Sequence, residues 1–335
     1  MSSERTGQHG AALLMVLWLS AALSAIAFTV ANTVRAETER TSTDVDALRA
    51  GYLAEGGIYR ALLYIIWGPT YRNDDGTPKY FQNPMPKLHF EFPTGVADVE
   101  LIPETSKLNV NLALPVEIRN LLLAIGVAPG RADTITGAIM DWRSPAPEGG
   151  SQFDQRYLSM IPSFQARHAS LHEIEELLLV QGVTPDLFYG AYTRDEDGTL
   201  VRHTALRDCL SVFGTRSVLD VNTVEPAVMR AIGVPPDAIA AIVARRKLGP
   251  LKNPGDLGPL LGAAGAQAAR LGINPSVILT LRSTARLRIP GGKPGDPQKF
   301  GDLQHTTSAM VKFLTPEFSV PYHVLRWYDN VVAPQ

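Results

Sequence analysis

The sequence predicts an α+β protein: a long N-terminal helix that begins as a membrane span and packs on a small antiparallel sheet, with a large helical subdomain inserted between the strands. Three observations carry this expectation. Residues 11–31, AALLMVLWLSAALSAIAFTVA, are 21 consecutive uncharged positions. Residues 108–143 and 219–246 are two distant copies of a pattern that reads as paired short helices. Strand-like segments, bounded by Pro, Gly and polar turns, lie before the first copy, between the two, and after the second.

The first element is set by length. At 1.5 Å per residue a helix over 11–31 rises about 31 Å, the thickness of a hydrocarbon core. A cleaved secretory signal has a shorter apolar stretch, of about 7–15 residues, and a small-residue cleavage site, whereas this stretch runs straight into a second helical pattern. A helix buried in a soluble core would need comparable apolar sequence around it, and the rest of the chain has none. The leading MSSERTGQHG is short and polar, with Arg5 and His9, which fits an N-terminus left in the cytoplasm and a body on the far side. Over 32–67, Val34, Val45, Leu48, Tyr52, Leu53, Ile58, Leu62 and Ile65 recur at helical intervals between charges, extending the same helix until Gly68-Pro69 stops it. Gly51, Gly56 and Gly57 weaken this extension and mark a bend or a close packing contact.

Composition narrows the function classes. Lys and Arg number 31 against 33 Asp and Glu, a net charge of -2, so no global positive field recommends nucleic acid. Cys209 is the only cysteine, which excludes an intramolecular disulfide and a thiolate metal cluster; in an apolar strand it reads as a buried small side chain. There is no Gly-x-Ser-x-Gly elbow, and His168 and His172 flank Glu173 without making the His-Glu-x-x-His pattern, so both histidines read as exposed on one helical face. The sequence predicts no enzyme.

In the body, Pro69–Pro86 reads as an exposed loop and residues 88–92 as a half-buried strand with His89 on its solvent side; 99–102 reads as a second strand. Each helical copy has an asparagine (Asn111, Asn222), a helix, a Gly-Val turn (Gly126-Val127, Gly233-Val234) and a second helix ending in arginine. The asparagines are expected to cap the turn admitting the first helix. Ser170, three residues before Glu173, predicts a capping box for a helix over 171–180. Residues 206–213, 277–289, 310–314 and 321–328 read as strands, with a turn-rich excursion over 291–301.

Three stretches carry a family resemblance. HGAALLMVLWLSAALSAIA, with Gly10 before the apolar helix, resembles a type IV pilin or pseudopilin leader. Together with GYLAEGGIYRAL at 51–62 it is similar to the minor pseudopilin K family of the type II (general) secretion pathway. Residues 141–190 resemble the same family through Asp141-Trp142, Tyr157, Glu175-Glu176-Leu177 and Val180-Gln181-Gly182-Val183-Thr184. The resemblance implies a pilin-like fold divided into a prepilin leader (1–10), a transmembrane segment (11–31), its amphipathic extension (32–67), a first part of the sheet (68–111), an inserted helical subdomain (112–205), and a second helical repeat with the remaining sheet (206–335). It implies cleavage by prepilin peptidase between Gly10 and Ala11, with Ala11 the mature N-terminus and a methylation candidate. Met15 stands at the fifth mature position, where most pilins have glutamate.

The resemblance further implies a bacterial inner-membrane, single-pass protein with a periplasmic body. It would sit at the tip of the pseudopilus, initiate assembly with minor pseudopilins I and J, and meet the secretin or exported protein on its other face. Characterised relatives hold structural calcium in the insertion. The candidate ligands here are Asp141, Glu148 and Asp154, or Asp195, Glu196 and Asp197. Where relatives have several aspartates after Asp-Trp, this chain has Arg143-Ser144-Pro145-Ala146-Pro147-Glu148, too few carboxylates for a calcium shell of six to eight oxygens without backbone carbonyls or waters. The repeats also resemble helix-hairpin-helix units, so the competing expectation is a membrane-anchored DNA-binding protein of DNA uptake, with a type IV pilus minor pilin as a nearer variant. The basic cluster Arg245, Arg246, Lys247 and Lys252 reads as a solvated helix end.

Overall fold

The computed structural model describes residues 6–82, 85–195, 197–198, 200–214, 218–262, 270–273, 277–289, 299–314, 317–329 and 331. Helix α1 runs unbroken over Thr6–Trp67, 62 residues, and ends where Gly68 donates to the Tyr64 carbonyl at 2.9 Å and Pro69 forbids continuation. Along residues 13–44 every side chain is exposed, whereas Ala50, Leu53, Ala54, Ile58, Ala61 and Leu62 are buried. The exposed part has a mean hydropathy of 2.3 in its most apolar window and is consistent with a single membrane span. Its hydroxyls are satisfied within the helix: Ser20 donates to the Val16 carbonyl and Thr29 to Ala25, both at 2.8 Å. Lipid could not supply those acceptors.

Beyond α1 come β1 (Lys87–Phe92), β2 (Gly95–Pro103) and the short β3 (Leu108–Asn109). The helical subdomain then contains α2 (Pro115–Ala124), α3 (Pro129–Arg143), α4 (Gln152–Leu158), a 3-10 turn (Ile174–Leu179) and α5 (Pro185–Tyr189). A small hairpin of β4 (Tyr192–Arg194) and β5 (Leu200–Arg202) follows, then α6 (Leu206–Cys209) and β6 (Leu210–Ser211). The second repeat comprises β7 (Leu219–Asp220), α7 (Pro226–Ala231), α8 (Pro236–Lys247), α9 (Gly258–Leu261) and β8 (Leu271–Gly272). The chain returns to the main sheet with β9 (Ile278–Arg288), β10 (Phe300–Phe313) and β11 (Tyr322–Tyr328). That sheet is antiparallel throughout, in the order β1-β2-β9-β10-β11, so the helical subdomain is inserted between its second and third strands.

One core lies between α1 and the sheet, where Ile58, Ala61 and Leu62 meet Phe90, Val99, Leu281, Ala309 and Val311. Burying each large aliphatic side chain there contributes about 1.5–3 kcal/mol. The approach is close enough to require glycine, since a Cβ at Gly57 would sit 2.6 Å from Ser283 Oγ and 2.8 Å from Ala97 Cβ. Gly57 is thus a packing contact in a continuous helix. A second, larger core fills the helical subdomain, around Ile118, Leu121, Leu122, Ile135, Ile139, Phe188, Val228 and Ile242.

Several local expectations need correction. The stretch 206–213 is a helical turn, α6, leading into two residues of strand; Asp208 accepts the Ala205 N–H at 3.2 Å and closes the turn. Cys209 is fully buried in that turn, and burial pushes its thiol pKa well up. The helix expected over 171–180 is a 3-10 turn capped from Glu173, with Glu176 accepting from the backbone N–H of His172 at 2.8 Å and of Glu173 at 3.2 Å, so Ser170 is outside it. β10 begins ten residues earlier than 310, because Thr306, Thr307 and Ser308 are buried polar residues of the sheet that hydrophobic pattern does not flag. Residues 291–298 of the expected excursion lie outside the described residues, and Phe300 and Gly301 are already strand.

Candidate functional site

The paired copies fold as two versions of one unit, and their conserved-looking polar residues act at a distance. Neither asparagine caps a helix: the N-caps are Leu114 and Glu225, each followed by proline at the first helical position. Asn111 instead clamps the backbone of Leu171, donating to its carbonyl at 2.9 Å and accepting its N–H at 2.8 Å. Asn222 holds Leu251 in the same way, at 3.1 and 2.7 Å. The arginine at the end of the second helix returns to the loop that carries the asparagine. Arg143 donates to the carbonyls of Val110 and Ala113, and Arg246 to those of Val221 and Val224 at 2.7 and 2.8 Å. Gly126 and Gly233 make the hairpin turns at φ of 90° and 87°, a region closed to most side chains. Each unit is closed by a short parallel pairing, β3 with β6 and β7 with β8, and the first helices of the two units, α2 and α7, pack on each other.

The solvated-end reading of the basic cluster is corrected for its two arginines and holds for its two lysines. Arg246 is committed to internal carbonyls and Arg245 donates to the Gly249 carbonyl at 2.9 Å, while Lys247 and Lys252 are exposed. Burial lowers the pKa of both Arg143 and Arg246, the cost of taking a cation out of water to hold these loops.

In the first unit the segment between α3 and the Leu171 clamp has its own small core. Trp142 packs edge-on against Tyr157 with ring centres 5.6 Å apart, and Tyr157 stacks on Phe164 at 5.0 Å. The Trp142 indole N–H points to Glu176 at 3.3 Å, and the Tyr157 hydroxyl accepts the Gln181 N–H at 3.1 Å. Trp142, Tyr157, Glu176 and Gln181, scattered over forty residues of sequence, therefore meet around one point.

Beside that core lie Asp141, Asp154 and His168, whose ligand atoms fall within 4.8 Å of one another and so could hold a metal ion. His168 Nε2 is 2.9 and 3.0 Å from the two carboxylate oxygens of Asp154. Its Nδ1 is 3.2 Å from the carbonyl oxygens of both Asp141 and Ser144. Ser151 caps α4, donating its hydroxyl to Asp141 at 3.0 Å and its N–H to Asp154 at 2.9 Å. The Ser151 N–H leads in holding the Asp154 carboxyl below its usual pKa, against the effect of burial and with help from His168. Burial alone would lower the His168 pKa, yet the hydrogen bond and charge of Asp154, with the Ser144 carbonyl and Asp141 charge, outweigh it and the net shift is upward.

The other predicted carboxylates are elsewhere. Glu148 is exposed. Asp195 and Asp197 are exposed in the β4–β5 turn, where Asp195 accepts the Asp197 N–H at 3.1 Å; Glu196 lies outside the described residues. Sequence reasoning placed His168 and His172 on an exposed helical face. Neither is helical: His168 is half-buried with φ of 49°, and His172 contacts Arg167 at 2.7 Å. The signal that could have found His168 was the Ser-x-x-Asp box at 151–154, which announces a fixed carboxylate close to Asp141. At the N-terminus, Gly10 and Ala11 lie within the α1 backbone, and Met15 is exposed on it.

The fold and site can now be set beside known proteins. Residues 104–190 match a family model described as Type II secretion system (T2SS), protein K. A type II secretion system protein K of Pectobacterium carotovorum subsp. carotovorum is 27% identical over 202 residues, covering 55% of this chain and 61% of that relative, under two thirds of its length. The crystal structure of the GspK-GspI-GspJ complex from the enterotoxigenic Escherichia coli type 2 secretion system contains a chain of similar fold, with TM-score 0.51 and 17% identity, covering 87% of this chain and 98% of that one. A long apolar helix on an antiparallel sheet, with a helical subdomain let into it, defines the class as pilin-like. Within that class the chain is similar to GspK-like minor pseudopilins of type II secretion, with the protein K pattern carried by residues 104–190.

Proposed function

We propose that this protein is the structural, non-catalytic tip subunit of a type II secretion pseudopilus, which initiates assembly with the minor pseudopilins I and J. The observation that carries the reading is the stiff seam joining the bulky helical subdomain to the pilin-like sheet. Glu104, only 1% exposed, accepts hydrogen bonds from Ser211 in β6 and, at 2.7 Å, from Thr280 in β9. Tyr328 of β11 donates to Glu175 at 3.2 Å, and Arg326 pairs with Glu173. A subdomain fixed at that many points would obstruct another subunit from stacking above. In the same reading Gly10 is the residue before the prepilin peptidase cut, Ala11 becomes the mature and methylated N-terminus, and the body faces the periplasm with α1 in inner-membrane lipid. Met15 offers no carboxylate for a neighbour's terminal amine, which suits a subunit with nothing beyond it. The opposite face of the head would be free for the secretin or exported protein.

The commitment of Arg246 to internal carbonyls weakens the competing expectation of a DNA-binding hairpin. The test uses the full chain in its native membrane. Affinity capture from detergent-solubilised membranes should recover pseudopilins I and J in equal amounts, and mass analysis should find Ala11 first. Capture without I and J, an N-terminus at Met1, or secretion unchanged by deleting the gene would reject the reading.

A further inference from the structure

The helical subdomain covers the face of the sheet turned away from α1, and the cover is incomplete on the β1–β2–β9 side. Leu88, Val99, Leu101 and Leu281 point into the α1 core. Side chains alternate along a strand, so Lys87, Glu100 and Arg282, aligned across β1, β2 and β9, stand on the other face. Across from this row, Arg202, Asp208 and Glu225 of the subdomain line the same cleft, of about 520 Å³. Small-molecule sites occupy about 300–1,000 Å³.

Part of the charge in the cleft is spent internally. Arg202, 8% exposed, donates to Asp208 at 2.7 Å and to the Tyr189 carbonyl at 2.6 Å, and Asp208 also accepts the Ala205 N–H at 3.2 Å. Two groups are left short. Arg282 is 12% exposed, and among the described residues its guanidinium meets one acceptor: Nη1 lies 3.4 Å from Glu100, near the limit of a hydrogen bond, while Nε is buried without a partner. Glu225, the residue before α7, has no side-chain hydrogen bond or ion pair among the described residues. Burial first, then the charge of Asp208, raises its carboxyl pKa against the pull of Arg246, Arg202 and Arg282. Burial likewise lowers the pKa of Arg282 against the pull of Glu100 and Asp208. A buried charge without a full partner is costly. An added anion would serve Arg282 and oppose Glu225, and an added cation would do the reverse. A molecule carrying both charges serves both.

We propose that this cleft binds a small zwitterion, an α-amino acid or short free peptide by chemical class, whose carboxylate pairs with Arg282 and whose ammonium pairs with Glu225. Lys87, exposed beside Glu100, adds positive charge on the carboxylate side. Arg282 belongs to the sheet and Glu225 to the subdomain, so the ligand fastens the two together at the side of the sheet away from the Tyr328–Glu175 contact. The site does not depend on the tip role, and either reading can fail alone.

The experiment uses the full-length chain purified in detergent, with glycine, glycylglycine and triglycine as probes of increasing charge separation. Calorimetry should find one of them binding saturably at one per chain, and that probe should raise the melting temperature. Its N-acetylated form, which lacks the ammonium, and its C-amidated form, which lacks the carboxylate, should each bind at least about tenfold more weakly, because each loses a charge-assisted hydrogen bond. Arg282→Gln should abolish the preference for the free carboxylate and Glu225→Gln the preference for the free ammonium, each leaving the other preference in place. No saturable binding of any probe at millimolar concentration, a blocked form that binds as tightly as the zwitterion, or preferences unchanged in both variants would overturn the proposal. If a variant does not fold, the comparison of free and blocked probes on the unmodified chain still decides it.

Discussion

In the first repeat Asn111 reaches a backbone 60 residues away, at Leu171, while in the second Asn222 reaches one only 29 residues away, at Leu251. The clamp is otherwise the same: an asparagine amide on a backbone amide, an arginine on two carbonyls, a glycine hairpin, a parallel closure. Doubling a loop costs only about 0.6 kcal/mol in closure entropy, so the longer version is thermodynamically cheap. It does need something to order it, and the first repeat supplies this with the Trp142–Tyr157–Phe164 core and the His168–Asp154 hydrogen bond, neither of which has a counterpart among the described residues of the second. The clamp is therefore general scaffolding, and the added segment is where the protein K pattern and the contacts to the sheet reside.

The comparison can be broken most directly at the arginines. Arg246→Ala should cost about 3 kcal/mol, because hydrogen bonds from a charged donor to two half-buried carbonyls are lost together. Arg143→Ala should cost a similar amount. Lysine should rescue neither, since a single ammonium cannot reproduce the fork. Chemical denaturation of the four variants checks this, and a clear rescue by lysine at either site would show that the clamps are electrostatic only.

The asparagines sharpen it. Asn111→Ala and Asn222→Ala each strip a buried N–H and carbonyl of their partner, for about 1–3 kcal/mol. Hydrogen exchange should open 144–180 in the first variant and the segment around Leu251 in the second. Identical exchange patterns would mean that the two clamps form one cooperative unit.

Trp142→Phe keeps the ring packing and removes the indole N–H from Glu176, so it should cost about 1 kcal/mol and leave the second repeat untouched by exchange. A smaller and pH-specific effect belongs to the seam that the first repeat makes with β11. Burial first, then the charge and hydrogen bond of Glu175, push the Tyr328 pKa up to about 12 from an ordinary 10. The neutral phenol is thus favoured by folding: its contribution is whole below pH 10 and is lost as pH rises toward about 12. Burial also raises the pKa of Tyr59 and Tyr157, so alkaline titration followed by tyrosinate absorbance should show a late component that loses its last part, near pH 12, in Tyr328→Phe, and a Tyr328 ionising at pH 10 would remove this feature of the seam.

Sequence alone determined the elements whose signal is local. An uncharged stretch long enough for a bilayer, apolar residues at three- and four-residue spacing, a Gly-Pro stop, the duplicated helix-turn-helix pattern and the strands around 88–92, 99–102, 277–289, 310–314 and 321–328 follow from neighbours a few residues apart and reappear in the fold, whereas the strand expected over 206–213 does not. What the polar side chains do was decided only by tertiary structure. Asn111 looked like a cap, Arg246 like a solvated helix end and His168 like an exposed histidine, because within a few residues of sequence those are the cheapest partners. The fold brings a different partner to each, 60, 25 and 14 residues away, in interiors where water cannot compete. A hydrogen bond's value depends on what else could satisfy the group, and that is settled by which backbone ends up beside it once the chain has packed.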